Sequence, residues 1–199
     1  MPRRQKKTAT TVGQVRIIAG KWRGRRLDFP SLDGLRPTGD RVRETLFNWL
    51  QPELPGALCL DLFAGSGALG FEAVSRGARR VTLIEKDPSA VKGLLRTRDQ
   101  LGINSREVEI IHQDALAWLQ KDPGDATRFD IVFVDPPFNS PLAESALIAL
   151  ERHDWLSPGA LVYIESSVTS KHPAGTSPRW QLHRHHTFGA VLCSLYRYA

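Results

Sequence analysis

Two short stretches of this sequence combine carboxylates, glycines and prolines in an order suited to holding a ligand close to the backbone beside a substrate that brings N–H donors. Asp135-Pro136-Pro137-Phe138 follows the apolar run FDIVFV without a break. Two consecutive prolines remove two backbone donors and stiffen the chain, so the carbonyls and the Asp135 carboxylate there present only acceptors. Such a corner suits a substrate that brings N–H donors, and Phe138 stands ready to stack on a flat ring. The second stretch, Asp61-Leu62-Phe63-Ala64-Gly65-Ser66-Gly67-Ala68-Leu69-Gly70, is followed by an apolar run ending in Glu85. Gly65, Gly67 and Gly70 match a G-x-G-x-x-G fingerprint, and Glu85 can hold the ribose diol of NAD or of another adenosine cofactor. The motif by itself leaves both readings open. Asp61 shifts the balance, because a carboxylate directly before the loop repels a pyrophosphate by roughly 1 to 4 kcal/mol at 4 Å and welcomes a cation. Asp61 as a plain cap of the glycine loop is an equal reading.

The elements that must position these residues are readable as alternation. ALCLDLF (57–63), RVTLIE (80–85), VEIIH (108–112), FDIVFVD (129–135) and ALVYIES (160–166) are short and rich in Val, Ile and Leu, the pattern of strands buried on both faces. Segments of helical length separate them, one opening on Asp87-Pro88, an acidic N-cap followed by proline. Alternation of this kind predicts crossover helices on a parallel sheet, with ligands at the carboxyl ends of the strands. WQLHRHHTFG and AVLCSLYRYA follow each other too closely for a helix and predict an antiparallel hairpin. Upstream, RVRETLFNWLQ places Val42, Leu46, Trp49 and Leu50 on one helical stripe, with Arg41 and Arg43 expected to project elsewhere.

Composition bounds the rest. The chain has 199 residues, 41% of them hydrophobic and 24% charged, enough for one domain with its own core. No apolar run approaches the roughly 20 residues of a membrane span, and MPRRQKKTATT lacks the apolar centre of a secretory signal, so a cytoplasmic protein is expected. Cys59 and Cys193 each sit in an apolar run and read as reduced core residues. Residues 1–43 hold 12 Lys or Arg against 3 Asp or Glu, whereas residues 44–199 hold 15 against 18. The positive excess is therefore assigned to the N-terminus, with Arg16, Lys21, Trp22, Arg23, Arg25 and Arg26 as candidate contacts to a nucleic acid. Trp22 reads equally as the anchor of an N-terminal hairpin. His183, His185 and His186 invite a metal reading, but adjacent strand residues point to opposite faces and no carboxylate or cysteine accompanies them. These histidines read instead as solvated hairpin residues in reach of RNA phosphates, and no metal is expected.

With these residues in hand, the sequence resembles the class I S-adenosylmethionine-dependent methyltransferases, in the branch that carries an Asp/Asn/Ser-Pro-Pro-aromatic motif. RIIAGKWRGRRL (16–27), LRPTGDRVRETLFNWL (35–50), DLFAGSGALGFEA (61–73), DPPF (135–138) and a closing FG and LYRY (188–198) narrow the likeness to bacterial guanine-N2 methyltransferases of 16S ribosomal RNA, the RsmD type. Phe138 stands where tyrosine is frequent in the motif, which keeps stacking and loses any hydroxyl bond.

The resemblance implies an α/β, Rossmann-like class I methyltransferase: a mostly parallel seven-stranded sheet, a C-terminal antiparallel hairpin and a small N-terminal β-hairpin extension. Its implied division is a basic disordered tail at 1–14, a hairpin extension contacting RNA at 15–34 and the methyltransferase domain at 35–199. Catalysis is implied for Asp135, Pro136, Pro137 and Phe138. Binding of S-adenosyl-L-methionine is implied for Asp61, Phe63, Gly65, Ser66, Gly67, Glu85, Lys86, Asp114, Ala115, Thr38 and Arg41. The expected partner is 16S rRNA, free or within the small subunit or an assembly intermediate, bound by a monomer. Three other readings stand beside it: an adenine-N6 methyltransferase of DNA or RNA, an NAD-dependent oxidoreductase, and an inactive RNA-binding assembly factor.

Overall fold

Five runs of Val, Ile and Leu form the parallel part of a sheet that helices cover on both sides. The structure, a computed structural model, describes residues 12–30, 38–121, 123–124, 128–137, 140–169 and 177–199. In chain order the elements are β1 (Val12–Arg16), β2 (Arg26–Pro30), α1 (Asp40–Leu50), β3 (Leu58–Asp61), α2 (Ala68–Ser75), β4 (Arg80–Glu85), α3 (Pro88–Gln100) and β5 (Val108–His112). There follow α4 (Ala115–Leu119), β6 (Phe129–Val134), α5 (Leu142–Arg152), β7 (Leu156–Ser167), β8 (Trp180–Phe188) and β9 (Val191–Tyr198).

The seven-stranded sheet has the order β5-β4-β3-β6-β7-β9-β8. Strands β3 to β7 are mutually parallel; β9 enters antiparallel between β7 and β8. Alternate residues of each strand feed two apolar layers. Cys59, Phe133 and Tyr163 join α1, α2, α3 and the β1-β2 hairpin, and Leu60, Val132 and Val162 join α4 and α5. In the second layer Trp118 stacks on Trp155 at 4.3 Å between ring centroids.

The order of strands makes β3 and β6 neighbours, with Asp61 opposite Phe133. The two chemistry-bearing segments therefore leave the sheet side by side at the same edge. The reversal of strand order at this point is where open α/β sheets hold ligands.

Two expectations change. The hairpin begins at Val12, inside the tail expected to run to residue 14, because Val12, Gly13 and Gln14 pair with Pro30, Phe29 and Asp28. Gly13 admits the Phe29 ring, whose nearest atom would lie 2.3 Å from an added Cβ. Arg43 does not project into solvent. The buried stripe of α1 is Arg43, Leu46, Phe47 and Leu50, with Val42 and Trp49 packed at its margin. Arg43 can be buried because the carbonyls of Thr38 and Arg16 and the Asp40 carboxylate, at 3.2, 2.9 and 2.6 Å, all accept from it.

Candidate functional site

At the carboxyl end of β3, Asp61 opens a loop whose shape depends on glycine. Gly65 and Gly67 have φ of 50° and 76°, the left-handed region that side chains disfavour. An added Cβ at Gly67 would lie 2.6 Å from the Phe71 ring, and one at Gly70 would lie 2.2 Å from Leu83. The third glycine thus lets α2 sit directly on β4. Glu85 finishes the loop from the next strand: its two oxygens accept from the amides of Gly65 and Asp87, both at 2.8 Å. Asp87 in turn caps α3 by accepting from Ser89 and Ala90.

Asp61 is buried, and its Oδ1 has no hydrogen-bond partner. Burial pushes its carboxyl up to about 7; amides of Phe63 and Gly70 favour the charged form, and Glu85 adds repulsion. A carboxylate held this way is stabilised by any cation that approaches it.

The corner after β6 is built from three elements. Thr38, just before α1, donates to Asp135 Oδ2 at 3.1 Å. Glu165 comes from β7, accepts from the Tyr163 hydroxyl at 2.8 Å, and lies within hydrogen-bonding reach of Thr38. Burial, then the neighbouring Glu165 charge, hold the Asp135 carboxyl well above the usual carboxylate range, with the Thr38 hydrogen bond opposing them and Asp61 adding repulsion. Burial raises Glu165 as well. Ser140 donates to the Pro137 carbonyl at 2.8 Å. Among the described residues, no hydrogen bond reaches the Pro136 carbonyl or Asp135 Oδ1.

Asp61, Glu85, Asp135 and Glu165 form no ion pair among the described residues. Four acids around one edge of a sheet, with a buried unpartnered oxygen among them, suit a cationic ligand with N–H and O–H donors. They do not suit a pyrophosphate. A sulfonium cofactor with a ribose diol meets this donor set.

Other expected residues fall around this edge. Asp114 caps α4 by accepting from Ala117 at 3.0 Å, beside buried Ala115, at the carboxyl end of β5. Phe63 is half-buried against the second apolar layer, and Ser66 is buried in the loop. Lys86 is exposed, its carbonyl accepting from His112 Nε2 at 3.1 Å. Arg41 is exposed on the first turn of α1. Phe138 lies outside the described residues. Among the described residues, no cluster of His, Cys, Asp and Glu has the form of a metal site, and no helix is long and apolar enough to cross a membrane.

The basic hairpin is distributed differently. Lys21 N bonds Ser75 O at 2.8 Å, Trp22 Nε1 bonds Leu101 O at 3.0 Å, and Arg25 bonds Gln100 O at 3.3 Å. These partners end α2 and α3, helices that run back against their strands. Residues 21–25 therefore sit at the sheet edge opposite Asp135. Arg16 and Arg26 pair with each other across β1 and β2, and Arg16 binds Asp40 at 2.7 Å. Trp22 is half-buried and bound through its indole N–H, the anchoring role among its two readings.

Sequence reasoning missed Glu165, Tyr163 and the burial of Arg43. Glu165 carries the one available signal, an acid ending an apolar strand, the same signal that picked out Glu85.

Comparison with known proteins agrees with this geometry. The family described as conserved hypothetical protein 95 matches residues 15–197. A Haemophilus influenzae protein named ribosomal RNA small subunit methyltransferase D is 47% identical over 190 residues, covering 96% of this chain and 97% of its own. Its Escherichia coli K12 namesake is 46% identical, covering 93% and 90%. A solved structure described as the putative methyltransferase yhhF from Escherichia coli superposes with a TM-score of 0.83 at 46% identity, covering 94% of this chain and 98% of its own.

Proposed function

Because this chain belongs to the ribosomal RNA small subunit methyltransferase D family, matched over residues 15–197, we propose that it methylates the exocyclic N2 amine of a guanine in 16S ribosomal RNA. It is an S-adenosylmethionine-dependent rRNA methyltransferase with the Rossmann-like fold of that class. The observation that carries the reading is the adjacency of β3 and β6. It sets the acid-rimmed glycine loop beside the Asp135-Pro136 corner on one face of one sheet edge.

S-adenosylmethionine, when bound, supplies an electrophilic methyl group on a sulfonium. Asp61, the Gly65–Gly67 loop, Phe63 and Ser66 would hold it, with Glu85 at the ribose, Asp114 and Ala115 at the adenine, and Thr38, Arg41 and Lys86 at the rim. The rest is the work of the corner. An exocyclic amine is a poor nucleophile because its lone pair is delocalised into the ring. Its two N–H groups would donate to Asp135 Oδ1 and the Pro136 carbonyl, and that pair of bonds turns the lone pair out of the ring plane. Thr38 holds Oδ2, so the carboxylate cannot rotate away. As the nitrogen becomes positive both bonds strengthen, which favours the transition state over the ground state. Fixing the amine in place lowers the barrier by up to about 7 to 11 kcal/mol, against about 1.5 to 3 for one charged hydrogen bond. Orientation dominates. The proton then leaves nitrogen for Asp135, whose raised pKa makes it a better base than an exposed aspartate.

Pro137 stiffens the corner, and Phe138 would stack on the extruded base for about 1 to 3 kcal/mol. Arg16, Lys21, Arg23, Arg25 and Arg26 of the hairpin extend the contact with RNA down the side of the domain. The enzyme acts as a cytoplasmic monomer on rRNA of the small subunit or its assembly intermediate.

The test is transfer of a labelled methyl group to small-subunit RNA, followed by digestion to nucleosides. Label is expected in N2-methylguanosine. Label in N6-methyladenosine would assign the corner to adenine instead.

A further inference from the structure

Residues 167–199 contain no Asp or Glu, four Lys or Arg and four His. The C-terminal half therefore has a cationic stretch of its own, masked when its charges are pooled with the acids before it. Within that stretch β8 is an edge strand, bonded on one side to β9. Its residues 181–187 are all exposed, so this strand is wet on both faces where β3, β4, β6, β7 and β9 are mostly buried. They include His183, Arg184, His185 and His186. Arg179 and Arg197 are occupied by Tyr198 and Glu53. Arg184 pairs with no acid among the described residues.

The register places this strand relative to the catalytic corner. Glu165 lies opposite Cys193, and Cys193 lies opposite His186. Directly paired residues share a face, so His186, and Arg184 opposite Leu195, lie on the face that carries Tyr163, Glu165 and Asp135. Three strand spacings separate β6 from β8, about 14 Å. The His186 ring sits 4.5 Å from the Phe188 ring, and Phe188 packs on the apolar layer. His186 is thereby propped at the rim, level with the acceptor corner.

We propose that β8 is a second RNA-contact surface, gripping the phosphate backbone of nucleotides that flank the extruded base. The proposal rests on the rRNA methyltransferase reading and extends it to a surface that reading does not use. Arg184 and the three histidines offer N–H donors to phosphate oxygens, and the open edge adds backbone N–H groups of the kind that bind phosphate without reading sequence. An acid-free cationic edge is complementary to a polyanion and repels a second copy of itself, which favours RNA over pairing of two β8 edges.

The experiment uses the full chain with two changes, R184E alone and H183A/R184A/H185A/H186A together. RNA affinity is measured against salt with a 16S transcript and with an unrelated single-stranded oligoribonucleotide. Both variants should bind each RNA about tenfold or more weakly at moderate salt. The salt slope should fall by about 0.7 for each phosphate that the strand no longer neutralises. The thermal shift produced by S-adenosylmethionine should be retained, which certifies the fold. Unchanged affinity and slope would overturn the proposal, as would concentration-dependent dimerisation abolished by R184E, which would give the edge to a second copy. Failure of the wild-type protein to methylate the transcript would instead count against the proposed function, because binding is read separately from turnover.

Discussion

Beneath the N-terminal hairpin, Glu72 and Arg43 are both wholly removed from water, and Glu72 is surrounded by donors. Arg76 donates to it at 2.6 Å, the amides of Ile18 and Ala19 at 2.7 and 3.0 Å, and Arg43 Nη1 lies 3.8 Å away. At the carboxyl edge of the same sheet face, Asp61, Glu85, Asp135 and Glu165 gather with no cation among them. The first cluster is internally neutralised and ties three segments together: hairpin, α1 and α2. In the second, burial raises Asp61, Asp135 and Glu165, and neighbouring like charge adds to it at Asp61 and Asp135. Arg43 Nη1, like Asp61 Oδ1, is buried without a hydrogen bond, so what separates the clusters is opposite charge: buried charge beside its counter-charge holds a fold, whereas like charge is tolerable where a ligand brings the missing sign. The contrast separates structural from functional acids without any appeal to resemblance.

The largest effect should come from breaking the neutralised cluster. Arg43→Ala takes away a buried charge 3.8 Å from Glu72, which keeps Arg76 and two amides, and removes the link between Thr38, Arg16 and Asp40. Losing one partner of a buried pair costs about 3 to 5 kcal/mol, so urea unfolding should show a loss of that order. A loss below about 1 kcal/mol would mean that Arg43 is not the keystone of the hairpin junction.

Asp135→Asn does the reverse, taking charge from the like-charged cluster. Methyl transfer should fall about 100- to 1000-fold, the scale of one removed preorganised electrostatic group. Thermal stability should stay level or rise, since a repelled carboxylate is gone. A variant that lost stability and kept turnover would invert the comparison.

Asp61 gives a pH dependence with a definite sign. Its folded-state pKa lies near 7, above the ordinary 3.8, so between these values the folded protein holds a proton that the unfolded chain has released. Its contribution to stability is present below about 4 and is lost as pH rises to about 7. Binding a sulfonium draws that proton off. Affinity for S-adenosylmethionine should therefore rise by up to about tenfold per unit as pH approaches 7 from below, then level off. Titration calorimetry at pH 6 and 8 measures it, and Asp61→Asn should flatten the profile. A smaller shift is expected from Glu165→Gln. Removing that neighbouring charge lowers the Asp135 pKa, so the acid limb of the methylation rate should move to lower pH, with little change on the plateau. An unmoved limb would detach Glu165 from the corner.

What the sequence disclosed follows the distance over which each feature is encoded. DLFAGSG and DPPF are local, and their glycines and prolines dictate backbone shape within four residues; the alternation of apolar runs is similarly local. Glu85, twenty residues beyond Gly65, was reachable because it ends a strand whose other members are apolar. Arg43 was not, since its local partner Asp40 gives only the i,i+3 pair of an exposed helix face, and the buried acid near it, Glu72, is 29 positions away on another helix. Glu165 was hidden by the same arithmetic: its neighbours Thr38 and Asp135 come from different elements, and only the pairing of β6 with β7 brings them together. The β8 histidines were readable as solvated residues in reach of RNA phosphates, but the absence of acids around them was not, because pooling residues 44–199 cancelled their charge against the acids of the carboxyl edge.

The smallest effect tests a residue that both clusters leave out. Trp22 lies among Lys21, Arg23 and Arg25, a context that invites stacking on RNA, yet its indole N–H is spent on Leu101 O and its ring packs on the core under Lys21. Trp22→Phe keeps most of the apolar area and removes one hydrogen bond, a loss of about 0.5 to 1.5 kcal/mol. The Leu101 carbonyl is at a helix end, where water can replace the lost donor, so the lower half of that range is expected. RNA affinity should not change, because phenylalanine at an anchoring position leaves the neighbouring cations where they were. If affinity falls threefold or more while stability holds, Trp22 itself faces the nucleic acid beside Lys21, Arg23 and Arg25.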